Sequence, residues 1–147
     1  MSVSYEEELE RSGKIVVTNV GVSMRPLIKQ GRDIIIINRK EGRLHKYDVP
    51  LYRRRSDNQA VLHRIVKVNE NDYVILGDNC MNKEYGITDD QIIGVMTSLV
   101  RGGKEIDLNG FWYRLYVRVW CALAPVRVVC KRFVALLKRI VKKIIGR

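Results

Sequence analysis

The sequence predicts a mostly-β body followed by a C-terminal amphipathic helical tail, and three observations carry that reading. Apolar, β-branched runs of strand length recur through residues 14–100, with turn residues between them. Beyond Asn109-Gly110 the apolar spacing changes from strand-like to helical. Charge changes at the same place: residues 111–147 hold ten of the 27 Lys and Arg and none of the 16 Asp and Glu. The net charge of +11 therefore sits almost wholly in the tail, and the body is near neutral. A chain of 147 residues has room for one compact domain plus an appendage, divided here as 1–110 and 111–147. An apolar content of 46% is enough for a real core and excludes wholesale disorder.

Residues 4–12 read as a short helix, capped by Ser4, with Glu6, Glu7 and Glu8 where carboxylates complement the helix dipole. Gly13 closes it. Strands are expected over 14–20, 33–38, 49–53, 60–68, 73–76 and 92–100, with turns at Asn71-Asp72 and Gly102-Gly103. Helices are expected over 111–124 and 126–145, separated by Pro125. In the second, apolar residues recur along one side while Arg127, Lys131, Lys138 and Lys142 mark the other, so the polar face is purely cationic.

A helix of that kind lies in a membrane interface, drawn to anionic headgroups, and Trp112, Tyr113, Tyr116 and Trp120 are residue types favoured at headgroup depth. The alternative is a helix packed on the protein's own body with a solvated basic face. Its apolar side argues against a nucleic-acid partner. The longest uncharged apolar stretch, 119–126, is far short of the ~20 residues a membrane span requires. The N-terminus is acidic where an export signal would be basic and then apolar, so none is expected. Peripheral membrane association, on an unspecified side, is the resulting expectation. Cys80, Cys121 and Cys130 have no metal-ligand spacing and read as reduced thiols, so neither a metal nor another cofactor is expected.

The residues that could carry chemistry fall in the body. In Gly21-Val22-Ser23-Met24-Arg25-Pro26, Gly21 permits an unusual backbone approach and Pro26 fixes the chain beyond Ser23. A serine so placed is either a turn residue or a nucleophile awaiting a base. There are two histidines. His45 lies in a basic loop and reads as solvated, whereas His63 stands within an apolar strand and is either a core residue or a general base on a rigid element. Two carboxylates follow, Asp78 in Leu76-Gly77-Asp78-Asn79-Cys80 and Glu84 in Glu84-Tyr85-Gly86-Ile87. Either could orient a histidine, and Asp78 could equally serve its own turn.

Taken in order, Gly-x-Ser-Met-x-Pro, the β run after it, Asp48-Val49-Pro50-Leu51-Tyr52, His63-Arg64-Ile65-Val66, Gly77-Asp78-Asn79 and Ile92-Ile93-Gly94-Val95 resemble the signal peptidase I family. The likeness is to its Ser–His branch and covers about residues 14–100. It implies a signal-peptidase/LexA-like β body, Ser23 as nucleophile and His63 as general base. It further implies an oxyanion hole that includes the Ser23 N–H and a carboxylate near the Gly-Asp-Asn turn. Asp78 matches the motif's aspartate, and Glu84 stands where a second aspartate is usual. The expected activity is serine endopeptidase action on a peptide or preprotein. A LexA-like self-cleaving protease, or a catalytically idle binding module at a membrane surface, are the alternatives. In LexA-like relatives a lysine is the base; Lys46 and Lys67 are out of place for it. Two departures from the family stand out: Gly31-Arg32-Asp33 is one residue longer than the usual Gly-Asp, and the family's N-terminal transmembrane anchor is not expected from these residues.

Overall fold

The structure, a computed structural model, describes residues 4–18 and 21–146. Helix α1 (Tyr5–Ser12) forms where its caps dictate. The Ser4 hydroxyl accepts from the Glu7 N–H at 3.1 Å, the Glu7 carboxylate accepts from the Ser4 N–H at 3.0 Å, and Gly13 turns left-handed at φ 74°. Leu9 is its one buried residue and seats it on the core.

In chain order the strands are β1 (Lys14–Thr18), β2 (Asp33–Asn38), β3 (Pro50–Arg53), β4 (Ala60–Leu62), β5 (Arg64–Val68), β6 (Tyr73–Leu76), β7 (Glu84–Ile87), β8 (Ile92–Arg101) and β9 (Lys104–Ile106). One curled antiparallel sheet runs β1-β2-β8-β3-β4, with β9 on β8. A smaller one runs β5-β6-β7. The first buries Ile15, Ile35, Ile37, Leu51 and Leu99, and the alternation along β2 is what one buried face requires. The second closes over Leu44, Tyr52, Ile65, Tyr73 and Ile75.

The strand expected over 60–68 is two strands, and His63 is the residue between them. β4 pairs with β3 in the first sheet and β5 with β6 in the second, so the chain changes sheets at His63. Strands β7 and β9 escape the sequence pattern because they are short. β7 also contains Gly86 at φ +69°, and β9 is led by Lys104 and Glu105. Asn19 and Val20, the end of the first expected strand, lie outside the described residues.

The chain as a whole is mixed α and β rather than mostly β, because two long helices follow β9. These are α2 (Phe111–Ala122) and α3 (Ala124–Ile144). Only Leu123 separates them; Pro125 falls in the first turn of α3, where its missing N–H has no helical partner to lose. Helix α2 packs on the body: Val117 is buried, Tyr113 and Tyr116 lie against the main core, and the Trp120 Nε1–H donates to the Asp78 carbonyl at 3.0 Å. By packing, then, α2 belongs with residues 4–110, although the secondary structure changes at 111. From Arg132 to Gly146 every residue is exposed. No helix among the described residues is long and apolar enough to cross a membrane.

Candidate active site

Ser23 lies in a loop pinned from below by Met24, Leu27 and Ile28, all buried. The far end of that loop is tied by Asp33. Its carboxylate accepts from Arg32 at 2.7 Å, from Arg101 at 2.9 Å and from the Lys29 N–H at 2.9 Å. Burial opposes ionisation of Asp33, but these donors win and hold its carboxyl far below the usual carboxylate range. Arg32 thus supplies one of the two guanidinium partners. Gly21 adopts φ +100°, a backbone that glycine takes without strain, and leads the chain into the serine loop.

The near end is held by Asn79. Its N–H donates to the Ser23 carbonyl at 2.7 Å, and its side-chain amide donates to the Val22 carbonyl at 3.2 Å. Ser23 is therefore fixed through its main chain. It lines a cleft of about 400 Å³ together with His63, Cys80, Leu62 and Arg54. The residues expected as nucleophile and base, 40 positions apart in sequence, share one cleft.

His63 is 5% exposed. On its Nδ1 side stand the Glu84 Oε1 at 3.3 Å and the Tyr52 hydroxyl at 3.4 Å. On its Nε2 side the Cys80 Sγ lies at 3.9 Å. Burial lowers the imidazole's pKa below its ordinary value, and Glu84 pulls the other way without overcoming it. The resting ring is neutral at pH 7, the state a general base needs. Glu84 is clamped by Arg54, whose Nε and Nη2 each donate to one carboxylate oxygen at 2.9 Å. Burial raises the Glu84 pKa, but Arg54 and Tyr52 outweigh it and keep the carboxyl below its usual value.

Asp78, the other candidate, is taken up by a different partner. Both its oxygens accept from Arg64, at 2.8 and 2.9 Å, and the two side chains are 2% and 1% exposed. Arg64 also donates to the Tyr47 carbonyl at 3.0 Å. Of the two carboxylates that sequence left open, Glu84 is the one beside His63, and Asp78 is half of a buried ion pair. His45 is exposed, within 3.9 Å of Asp48. Sequence reasoning passed over Tyr52, Arg54, Asn79 and Cys80. Asn79 and Cys80 stood beside a motif already singled out, whereas Tyr52 and Arg54 reach the site through the β3–β4 pairing, which spacing alone does not reveal.

Gly77 is required here for space. A Cβ on it would lie 2.6 Å from the Cys80 Sγ and 2.9 Å from the His63 Nε2. Gly77→Ala is expected to push the imidazole toward solvent, relieving its desolvation and raising its pKa toward the ordinary value. Proton NMR titration of the His63 ring reads this directly; an unmoved His63 titration would contradict the packing.

Comparison of the chain with protein-family models and with curated proteins finds no match.

Proposed function

We propose that the chain is a serine endopeptidase of signal-peptidase I-like chemistry, in which Ser23 attacks a peptide carbonyl and His63 takes its proton. The observation that supports this most is the shared cleft, lined by both Ser23 and the neutral ring of His63, with Glu84 beside the Nδ1. In the first step the Ser23 hydroxyl proton passes to the His63 Nε2, with Glu84 kept at the Nδ1, and the Ser23 oxygen bonds to the substrate carbonyl carbon. The imidazolium so formed is stabilised by Glu84, itself kept ionised by Arg54. It then protonates the leaving amine, and water repeats the sequence on the acyl-enzyme. A positioned base supplies roughly 10²–10⁴ in rate, and N–H donors such as that of Ser23 would supply oxyanion stabilisation besides.

The reading includes a place of action. The exposed half of α3 carries Phe133, Val134, Leu137, Ile140 and Val141 on one side and Lys138, Arg139, Lys142 and Lys143 on the other, with no carboxylate beyond residue 110. That combination favours an anionic membrane surface, each cation adding about 1 kcal/mol of attraction. A chain ending at Lys131 is expected to stay folded, since every described residue of the segment removed is exposed, and to stop floating with anionic vesicles. Flotation that persists would remove the membrane from the proposal.

The chemistry is tested by incubating the full chain on anionic vesicles with a peptide library and scoring cleavage for the parent, Ser23→Ala and Cys80→Ala. Cys80 is the competing nucleophile by proximity to the Nε2, but burial and then Glu84 raise its thiol pKa, so it rests as the unreactive thiol. Cleavage is expected in the parent and in Cys80→Ala and absent in Ser23→Ala. Loss in Cys80→Ala with retention in Ser23→Ala would transfer the role to the thiol, and no cleavage by the parent would favour an idle binding module.

A further inference from the structure

A groove of about 1000 Å³ runs between the β5-β6-β7 sheet and the junction of α2 with α3, on a wall that does not include Ser23, His63 or Glu84. Its lining divides by chemistry. Lys46, Lys67, Lys83, Arg118 and Arg132 supply five cations, and no Asp or Glu lines the groove. Among the described residues none of the five is ion-paired with a carboxylate. Between them lies an apolar surface of Val66, Met81, Tyr85, Val128 and Val129, of which Met81, Tyr85 and Val129 are exposed.

Cations on one strand, two loops and two helices would repel one another across such a space unless an anion stood among them. An apolar floor left open to water would likewise gain from a chain to cover it. One ligand answers both demands, an anionic amphiphile. The groove is also continuous with the exposed face of α3: Val129 lies in the groove, and Phe133 and Leu137 follow it at successive i+4 positions on the same side of the helix. A molecule entering from a bilayer would meet that apolar row first.

We propose that this groove binds a single anionic phospholipid, its phosphodiester headgroup among Lys67, Lys83 and Arg132 and the upper part of an acyl chain along Val128, Val129 and Met81. The volume is at the upper end of the usual range for ligand sites, room for a headgroup and part of one chain. The inference shares the membrane surface of the reading above, but it rests on the groove's own lining and not on the serine chemistry. The groove would turn general attraction to a charged surface into a fixed docking of the protein against one lipid.

The test is calorimetric titration of the full-length chain with dihexanoyl phosphatidylglycerol below its micelle concentration, set against dihexanoyl phosphatidylcholine and inorganic phosphate. Saturable one-to-one binding is expected for the anionic lipid, with at least about tenfold weaker binding of the zwitterionic lipid and of phosphate alone. Lys67→Gln with Lys83→Gln is expected to weaken binding of the anionic lipid by about 25-fold, at about fivefold per cation. Both side chains are exposed, so the melting temperature should hold. Lys138→Gln with Lys142→Gln, beyond the groove, and Ser23→Ala should each leave this affinity unchanged. Equal affinity for the two lipids, equal affinity for phosphate, displacement by an acidic apolar peptide at lower concentration, or indifference to Lys67→Gln with Lys83→Gln would each overturn the proposal. Failure of the parent chain to float with vesicles while monomeric lipid still binds would instead strike the interfacial placement of α3 and leave the groove standing.

Discussion

Replacing His63 with alanine is expected to lower kcat/KM for peptide cleavage by about 10²–10⁴-fold, the contribution of a positioned base. Combining it with Ser23→Ala should cost little beyond either change alone, because members of one proton-transfer unit fail together. The pH dependence gives a sharper signature. Burial holds the His63 pKa below the ordinary imidazole value of about 6.5, so the acid limb of kcat/KM should lie below that pH. Glu84 is the main influence raising that pKa, and Arg54 lowers it. Glu84→Gln therefore removes the one and leaves the other uncompensated, and the limb should move to still lower pH. The rate should fall at the same time, since the imidazolium loses its stabilising carboxylate. A limb that moved upward, or did not move, would take Glu84 out of the site.

Asp78→Ala has a different expected outcome, in stability rather than in rate. It leaves the Arg64 guanidinium buried, its two bonds to the carboxylate gone. Breaking such a pair from one side costs about 3–5 kcal/mol, which for a chain of this size lowers Tm on the order of 10 °C. Removing both charges, as Arg64→Met with Asp78→Leu, should recover much of that loss, because the uncompensated charge is the larger part of the damage. Thermal unfolding followed by circular dichroism separates the cases. A Glu84→Gln variant as unstable as Asp78→Ala would mean that the two carboxylates share one role.

How far the sequence could be read depended on the range of the contacts involved. Helix α1 was legible in full because its determinants lie within ten residues: Ser4, Glu7 and Gly13 are all local signals. Strand β2 and the Gly102-Gly103 turn were legible for the same reason, with both glycines at positive φ. The break at His63 was not. Residues 60–68 read as one strand-length run, its apolar positions broken at Arg64 and Lys67, and it is pairing with two different partners that divides it at His63. The carboxylate partner of His63 was beyond sequence for a related reason: Asp78 and Glu84 both lie near the turn, and what separates them is that Arg64 takes the first and Arg54 the second. The limit of the tail was missed because a uniform helical pattern spans a stretch that packs on the body and one that does not.

Lys131 is the last half-buried residue of α3, and its ammonium donates to the Asn79 carbonyl at 2.6 Å. Asn79 in turn holds the carbonyls of Val22 and Ser23. The free half of α3 is thus a lever of about 20 Å at 1.5 Å per residue, and its short arm ends at the serine loop. With that lever laid on a bilayer, the cleft would stand at a preset height above the lipid plane. Peptide bonds emerging near that height would be cut and those far above it spared, a ruler in place of a recognition sequence.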